Sequence, residues 1–292
     1  MKVIIKQIRV KHWIKNLLIF APLLFSSQLL NTQSLVLSIF AFFSFSFLAS
    51  FSYVINDIKD LDGDIIHPIK KNRPLASGKI NIKAAYVLAF FMLLFSIIFS
   101  ILIHQAELYV VLVSYCIINI FYATYLKKIS IVDAISIAIG FELRILAGCI
   151  AIGVIASDFI LVVTFFLALL LAFLKRKGEL KLLQENSTKH RKSLTYYTLP
   201  LLDKFIFASA TFTLIGYLFY TIDDGVINQI GNDYLKYSIV FVLYGLFRFI
   251  QLSEIDVYNN EGDPTILIYK DRGLQLAILC WMVYVTMCLY VF

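Results

Sequence analysis

The sequence predicts an all-α, polytopic membrane protein, and three observations carry that reading. The chain of 292 residues is 60% hydrophobic and 15% charged, with a mean hydropathy of +0.84, far more apolar than soluble domains are. Apolar runs recur from end to end, most of them approaching the roughly 20 residues that cross a bilayer as a helix. Those runs are continuous, whereas a membrane β-barrel alternates apolar and polar residues.

In chain order the runs are Leu17–Leu30, Leu35–Ile55, Ala84–Ile103, Leu108–Tyr125, Ile131–Ile155, Phe159–Leu174, Phe205–Ile222, Tyr237–Leu252 and Leu274–Phe292. About nine transmembrane helices follow, because backbone groups in hydrocarbon must be satisfied within the segment. The first run is short for a span, though Trp13 and the residues before it can lengthen it. It is not read as a removable signal peptide, since Ala21-Pro22 makes a poor cleavage site. No Gly/Ser linker or charge block divides the chain, so residues 1–292 read as one transmembrane domain.

Lys and Arg gather in the connections after the second, fourth, sixth and eighth runs, and the alternate connections hold almost none, Lys236 being the exception. This asymmetry places the N-terminus and all the long loops in the cytoplasm. The net charge of +7 then reflects topology and anionic contacts, and no nucleic acid is needed to explain it. Cys116, Cys149, Cys280 and Cys288 lie in apolar runs without CxxC spacing, and the four histidines are scattered, so neither a disulfide framework nor a zinc site is indicated.

Chemistry is concentrated in Asn56–Asp64, NDIKDLDGD, with four aspartates in nine residues. On a helix Asp57, Asp60 and Asp64 fall within about 60° of one another, and Asp62 points away. Carboxylates at a membrane boundary are costly, and three on one face call for a cation; hard oxygen ligands suit Mg2+. The following HPIKKNRPLASGKI turns at His67-Pro68 and again at Arg73-Pro74 with Gly78, which hangs Lys70, Lys71 and Arg73 beside the acidic face. Carboxylates that hold a metal and cations that neutralise the remaining oxygens are what a metal-bound diphosphate needs.

Further on, Lys175, Arg176, Lys177 and Glu179 stand where the sixth run leaves the membrane, and Arg191, Lys192, Ser193 and Tyr196 form a second polar group. Membrane anchoring explains such a basic helix end equally well. Glu142 and Arg144 lie inside the fifth run, where charge is expensive; Arg144 either pairs with a carboxylate such as Asp133 or holds a substrate phosphate. No nucleophilic Ser or Cys arrangement or nucleotide-binding glycine loop is present.

NDIKDLDGD resembles the NDxxDxxxD motif of the UbiA superfamily of intramembrane prenyltransferases, whose nine-span plan also fits. Other stretches resemble one branch, the decaprenyl-phosphate phosphoribosyltransferases: RVKHWIKNLLIFAPLLFS at the start, HPIKKNRPLASG, FYATYLKKISIVDAISIAIGFELRILAG, KRKGEL, and YGLFRFIQL with GDPT and DR near the end. Ordinary members of the superfamily carry a second aspartate-rich motif after the sixth span. KRKGEL stands there instead, with one carboxylate and three cations, which suits an anionic lipid monophosphate.

The resemblance implies Mg2+-dependent transfer of 5-phosphoribose from phosphoribosyl diphosphate to a polyprenyl phosphate of decaprenyl type, the product feeding cell-wall or other glycan synthesis. Asp57, Asp60 and Asp64 are the expected metal ligands and catalytic residues, with Asn56 nearby. Lys15, Asn16, Lys175, Arg176 and Arg191 are candidates for the lipid phosphate and the donor's 5-phosphate, and Lys70, Arg73, Arg144 and Glu179 complete the expected substrate contacts. The alternative is transfer of an isoprenoid from a prenyl diphosphate to an aromatic or lipid acceptor, which the missing second acidic motif argues against. A transporter would place its polar residues near mid-membrane, and here most cluster at one rim. Lipid length and self-association are open, and a homo-oligomer is compatible with the sequence.

Overall fold

The computed structural model describes residues 2–66, 70–183, 192–255 and 266–291, and the regular structure among them is helical throughout. The helices are α1 (Lys2–Gln7), α2 (Ala21–Phe25), α3 (Thr32–Lys59), α4 (Leu61–Ile66), α5 (Ile82–Ile101), α6 (Ala106–Thr124), α7 (Val132–Ile152), α8 (Asp158–Leu183), α9 (Leu199–Ile222), α10 (Asp224–Ile230), α11 (Ile239–Glu254), α12 (Ile266–Lys270) and α13 (Arg272–Tyr290). Eight segments among the described residues are long and apolar enough to cross a membrane: α3, α5, α6, α7, α8, α9, Tyr234–Glu254 containing α11, and α13. The chain is an integral membrane protein.

Side chains that bond the first free N–H groups start several of these helices. Asn31 caps α3 through the Gln33 and Ser34 amides, Asn81 caps α5, Thr198 caps α9, and Asp271 caps α13. Polar residues that break the apolar runs therefore also set where the spans begin.

The first expected run folds differently. Residues Val10–Phe20 form a 3-10 helix, and only Ala21–Phe25, with Pro22 in its first turn, is α-helical. A repeat of three residues per turn aligns Trp13, Asn16 and Ile19 on one side. Trp13 Nε1 donates to Ser50 Oγ at 3.0 Å, Asn16 Nδ2 donates to Ser46 Oγ at 2.8 Å, and Ile19 is fully buried in the core. The α-helical repeat would rotate these three apart, so tertiary contacts override the hydropathy of the run.

The fold divides into two compact units, one of residues 1–124 and 143–155, the other of 125–142 and 156–292, so α7 contributes a half to each. In the first unit α3 packs along α5, α6 and the 3-10 segment. Its core joins Ile19, Phe45, Leu48, Ala49, Leu108 and Tyr115 to Leu143, Ala147 and Ala151. Ser38, Ser44, Ser46 and Ser50 of α3 are wholly buried, and such small residues let helix backbones approach closely in a membrane protein.

In the second unit α8 packs along α9, with Phe166 stacked on Phe212 and Phe173 against Phe205, and α11 packs on α13. Trp281 Nε1 donates to Tyr217 Oη at 2.8 Å, and Tyr217 shares a hydrogen bond with Ser238 at 2.6 Å.

Gly148 shows how tightly the first unit closes on its 3-10 segment. A Cβ there would lie 2.2 Å from Ile19 O and 3.0 Å from Ile19 C, both backbone atoms. Gly148→Ala should therefore destabilise the protein by about 1–3 kcal/mol. Gly245→Ala, with nothing within 4 Å of the new Cβ, should stay within about 0.5 kcal/mol of wild type. Thermal unfolding of the two variants in the same detergent checks this, and equal midpoints would overturn it.

Candidate active site

The carboxylates of the first unit sit at the end of α3. Asp60 N bonds Asn56 O at 2.9 Å and Asp64 N bonds Asp60 O at 2.9 Å, so helical bonding continues through the junction between α3 and α4. That continuity keeps Asp57 and Asp64, seven residues apart, on one face. Both are buried, at 2% and 3% exposure, whereas Asp60 is half-buried and Asp62 is exposed on the other side.

The N-terminal segment runs antiparallel along this face of α3 and makes a series of contacts with it. Asn16 meets Ser46, Trp13 meets Ser50, His12 and Arg9 pack on the Tyr53 ring, and Arg9 and Gln7 reach Asp57. The α3 residues in that series lie four, three and four positions apart, the spacing of one helix face. Arg9 turns the chain between α1 and the 3-10 segment in a left-handed conformation, φ 54° and ψ 49°. Its guanidinium Nη2 lies 2.5 Å from Asp57 Oδ1, and Gln7 Nε2 donates to Asp57 Oδ2 at 3.0 Å.

The loop before α5 supplies the other cations. Arg73 Nη1 lies 3.0 Å from Asp57 Oδ1 and 2.5 Å from Asp64 Oδ2, so one cationic atom is shared by two buried carboxylates. Lys70 Nζ stands 4.0 Å from Asp64 Oδ1. The loop is held by Leu75, buried with Val54, Ala85 and Ala89, and by Lys6 Nζ, which donates to Asn72 O at 3.2 Å. His67 and Pro68, the expected first turn, lie outside the described residues.

Among the described residues no group of three His, Cys, Asp or Glu side chains gathers as a metal cage. The donor set nonetheless fits magnesium. Two buried carboxylates converge on one cationic position, and magnesium takes one or two carboxylates together with phosphate oxygens and water. Asp57 and Asp64 would hold such an ion, with Asp60, the third expected ligand, three residues from Asp57 at the rim.

Deeper in the first unit, Arg144 is 5% exposed. Its Nε donates to Asn16 Oδ1 at 2.7 Å, its Nη2 donates to Tyr115 Oη at 3.3 Å, and its guanidinium lies 4.9 Å from the Phe45 ring centre. Asn16, buried at 1%, thus bridges Arg144 and Ser46. Lys15 beside it is half-buried.

In the second unit the basic segment is internally neutralised. Arg176, wholly buried, lies 3.3 Å from Asp133 through Nε and also pairs with Glu179. Asp133 takes further bonds from Tyr197 Oη at 2.9 Å and Ser193 Oγ at 3.4 Å. Burial, together with the Asp133 carboxylate, pushes the Tyr197 phenol up to about 12, so it remains a donor at neutral pH. Lys177 pairs with Asp203 and Glu254, and Lys181 reaches Glu254 at 2.9 Å. Lys175 is half-buried, and Arg191 lies outside the described residues. Near α13, Arg248 Nη2 lies 2.7 Å from the capping Asp271.

Comparison with known proteins decides the family. The family model of the UbiA prenyltransferases matches residues 17–263. The chain belongs to the UbiA prenyltransferase family. Curated relatives of this UbiA chain include two decaprenyl-phosphate phosphoribosyltransferases. The one from Corynebacterium glutamicum is 30% identical over 98% of this chain and 86% of its own. The one from Mycolicibacterium smegmatis is 31% identical over 96% of this chain and 90% of its own. Among solved structures, a UbiA homolog from Archaeoglobus fulgidus bound to GPP and Mg2+ superposes with a TM-score of 0.71 at 19% identity, covering 99% of this chain and 100% of that one. The all-α UbiA fold expected from the sequence is the fold observed.

Gln7 and Arg9 were missing from the expected site. Arg9 stands in the opening stretch that resembles the family, but no local spacing ties it to Asp57, 48 residues away. The basic charge of KRKGEL was visible in sequence, whereas its neutralisation by Asp133, Asp203 and Glu254 depends on residues far along the chain.

Proposed function

We propose that this membrane-embedded transferase moves 5-phosphoribose from phosphoribosyl diphosphate to a polyprenyl phosphate and releases diphosphate. The observation that carries the reading is the mixed cluster on α3 and its loop: two buried carboxylates interleaved with Arg9, Arg73 and Lys70. Such a cluster offers ligands for a divalent metal beside cations for phosphate oxygens, which is what a diphosphate donor requires. The two relatives near 30% identity carry the name of this activity along nearly the whole chain.

Magnesium, when bound by Asp57 and Asp64, stabilises the negative charge that departs with diphosphate. Arg73 and Arg9 supply positive charge to the oxygens left over, and Lys70 stands at the rim for the same purpose. The bond from the anomeric carbon to diphosphate breaks with its electron pair leaving on diphosphate. The bond from that carbon to the lipid phosphate oxygen forms, and this oxygen is already anionic, so no general base is needed. Positive charge builds on the sugar ring as in glycoside chemistry, and positioning supplies most of the rate. Lys15, Asn16, Arg144, Lys175, Arg176, Glu179 and Arg191 remain candidates for the two monophosphates and their surroundings. The positive-inside pattern supports a cytoplasmic position for the acidic face, and the bacterial source of both relatives supports a bacterial inner membrane.

The test is purified protein with sugar-labelled phosphoribosyl diphosphate, a polyprenyl phosphate and Mg2+. Label should move into the lipid, and chelation with EDTA should abolish the transfer. No labelled lipid, together with turnover of a prenyl diphosphate onto an aromatic acid, would overturn the reading in favour of an ordinary prenyltransferase.

A further inference from the structure

Gln7 is wholly buried at the end of α1, yet only half of its amide is used. Nε2 donates to Asp57 Oδ2 at 3.0 Å, while Oε1 has no hydrogen-bond partner among the described residues. A buried amide oxygen without a partner costs stability, so packing alone is a poor reason to keep glutamine at this position. What the side chain does accomplish is specific to one atom. With Oδ2 taken by Gln7, the other oxygen, Oδ1, is the one that faces Arg9 at 2.5 Å and Arg73 at 3.0 Å.

We propose that Gln7 is a positioning residue for Asp57: its amide fixes the carboxylate so that Oδ1 is presented to the cationic position shared with Asp64. This rests on the reading of Asp57 and Asp64 as the metal–diphosphate site. The amide donor itself is held in place. Lys6 Nζ bonds Asn72 O at 3.2 Å, and Ile8 O accepts from Ser50 Oγ at 2.8 Å, so the residues on both sides of Gln7 are tied down. A carboxylate pre-set in this way binds its cation without first losing side-chain freedom.

The experiment uses the full chain in detergent, with inorganic diphosphate and Mg2+ as the probe and thermal unfolding as the readout. Gln7→Met keeps the length of the side chain but removes the donor. It should raise the magnesium–diphosphate concentration for half-maximal protection roughly tenfold, while the unfolding midpoint without ligand holds or rises. Gln7→Glu, which places an acceptor against Asp57 Oδ2, should raise it further. In the transfer assay the donor KM should rise more than kcat falls. An unchanged half-maximal concentration in Gln7→Met overturns the proposal, and so does a Gln7→Met chain that loses its fold, since the amide would then be structural. Wild-type protein that shows no magnesium-dependent protection by diphosphate overturns the site reading instead, and that result needs no variant.

Discussion

Asp57→Asn should lower transfer of labelled phosphoribose by about 100- to 1,000-fold, the scale of losing one preorganised electrostatic group in an active site. The substitution keeps the size of the side chain and removes its charge. Arg9 and Arg73 would lose a partner, but their side chains are 21% and 28% exposed, so water can solvate them and the fold should persist. Asp64→Asn should behave alike, because its Oδ2 shares Arg73 with Asp57. Asp62→Asn, on the exposed side of the same helix, should stay within about twofold of wild type. Initial rates across a magnesium series check these values. An Asp57→Asn enzyme that keeps more than a tenth of wild-type activity would show that the carboxylate does not hold the metal.

The largest expected effect on stability lies in the second unit. Arg176→Met takes the guanidinium away from Asp133, both side chains being at 0% exposure, and removing one partner of a buried pair costs about 3–5 kcal/mol. Pairing it with Asp133→Asn should recover most of that loss, since a neutral amide can keep bonding Tyr197 and Ser193. Thermal unfolding of the single and double variants measures the coupling. The double variant also bears on function. Normal donor and lipid KM values would assign Arg176 to holding α7 against α8 within the second unit, and a raised KM at recovered stability would assign it to a substrate phosphate. A single variant as stable as wild type would refute the energetic account.

Much of the fold was legible because hydropathy is local. Eight of the apolar runs became helices, and some of these begin a few residues earlier than the run, at caps such as Asn31 and Asp271. The 3-10 segment Val10–Phe20, which takes in the start of the run Leu17–Leu30, was not legible, since Trp13 and Asn16 bond Ser50 and Ser46 and the Ile19 backbone lies close against Gly148. The acidic face of Asp57 and Asp64 was also visible, because helical periodicity alone brings residues seven apart to one side. Its partners were only partly so. Arg73 lies close along the chain, but Gln7 and Arg9 come from 50 and 48 residues away. Arg144 is the converse case: its charge was plain in the sequence, but its setting against Asn16 and Tyr115 was not.

The sequence by itself determined that this is a helical membrane protein with a carboxylate face suited to a cation, because both follow from the order of residues along one strand of chain. Only the tertiary structure decided which charges are already matched. Coulomb and hydrogen-bond interactions act through space and not along the backbone, so Arg176 and Lys177, which read as a basic helix end, are paired with carboxylates distant in sequence. For the same reason Asp57, which reads as one of three equivalent ligands, has one oxygen fixed by Gln7 and the other turned toward the guanidinium groups of Arg9 and Arg73.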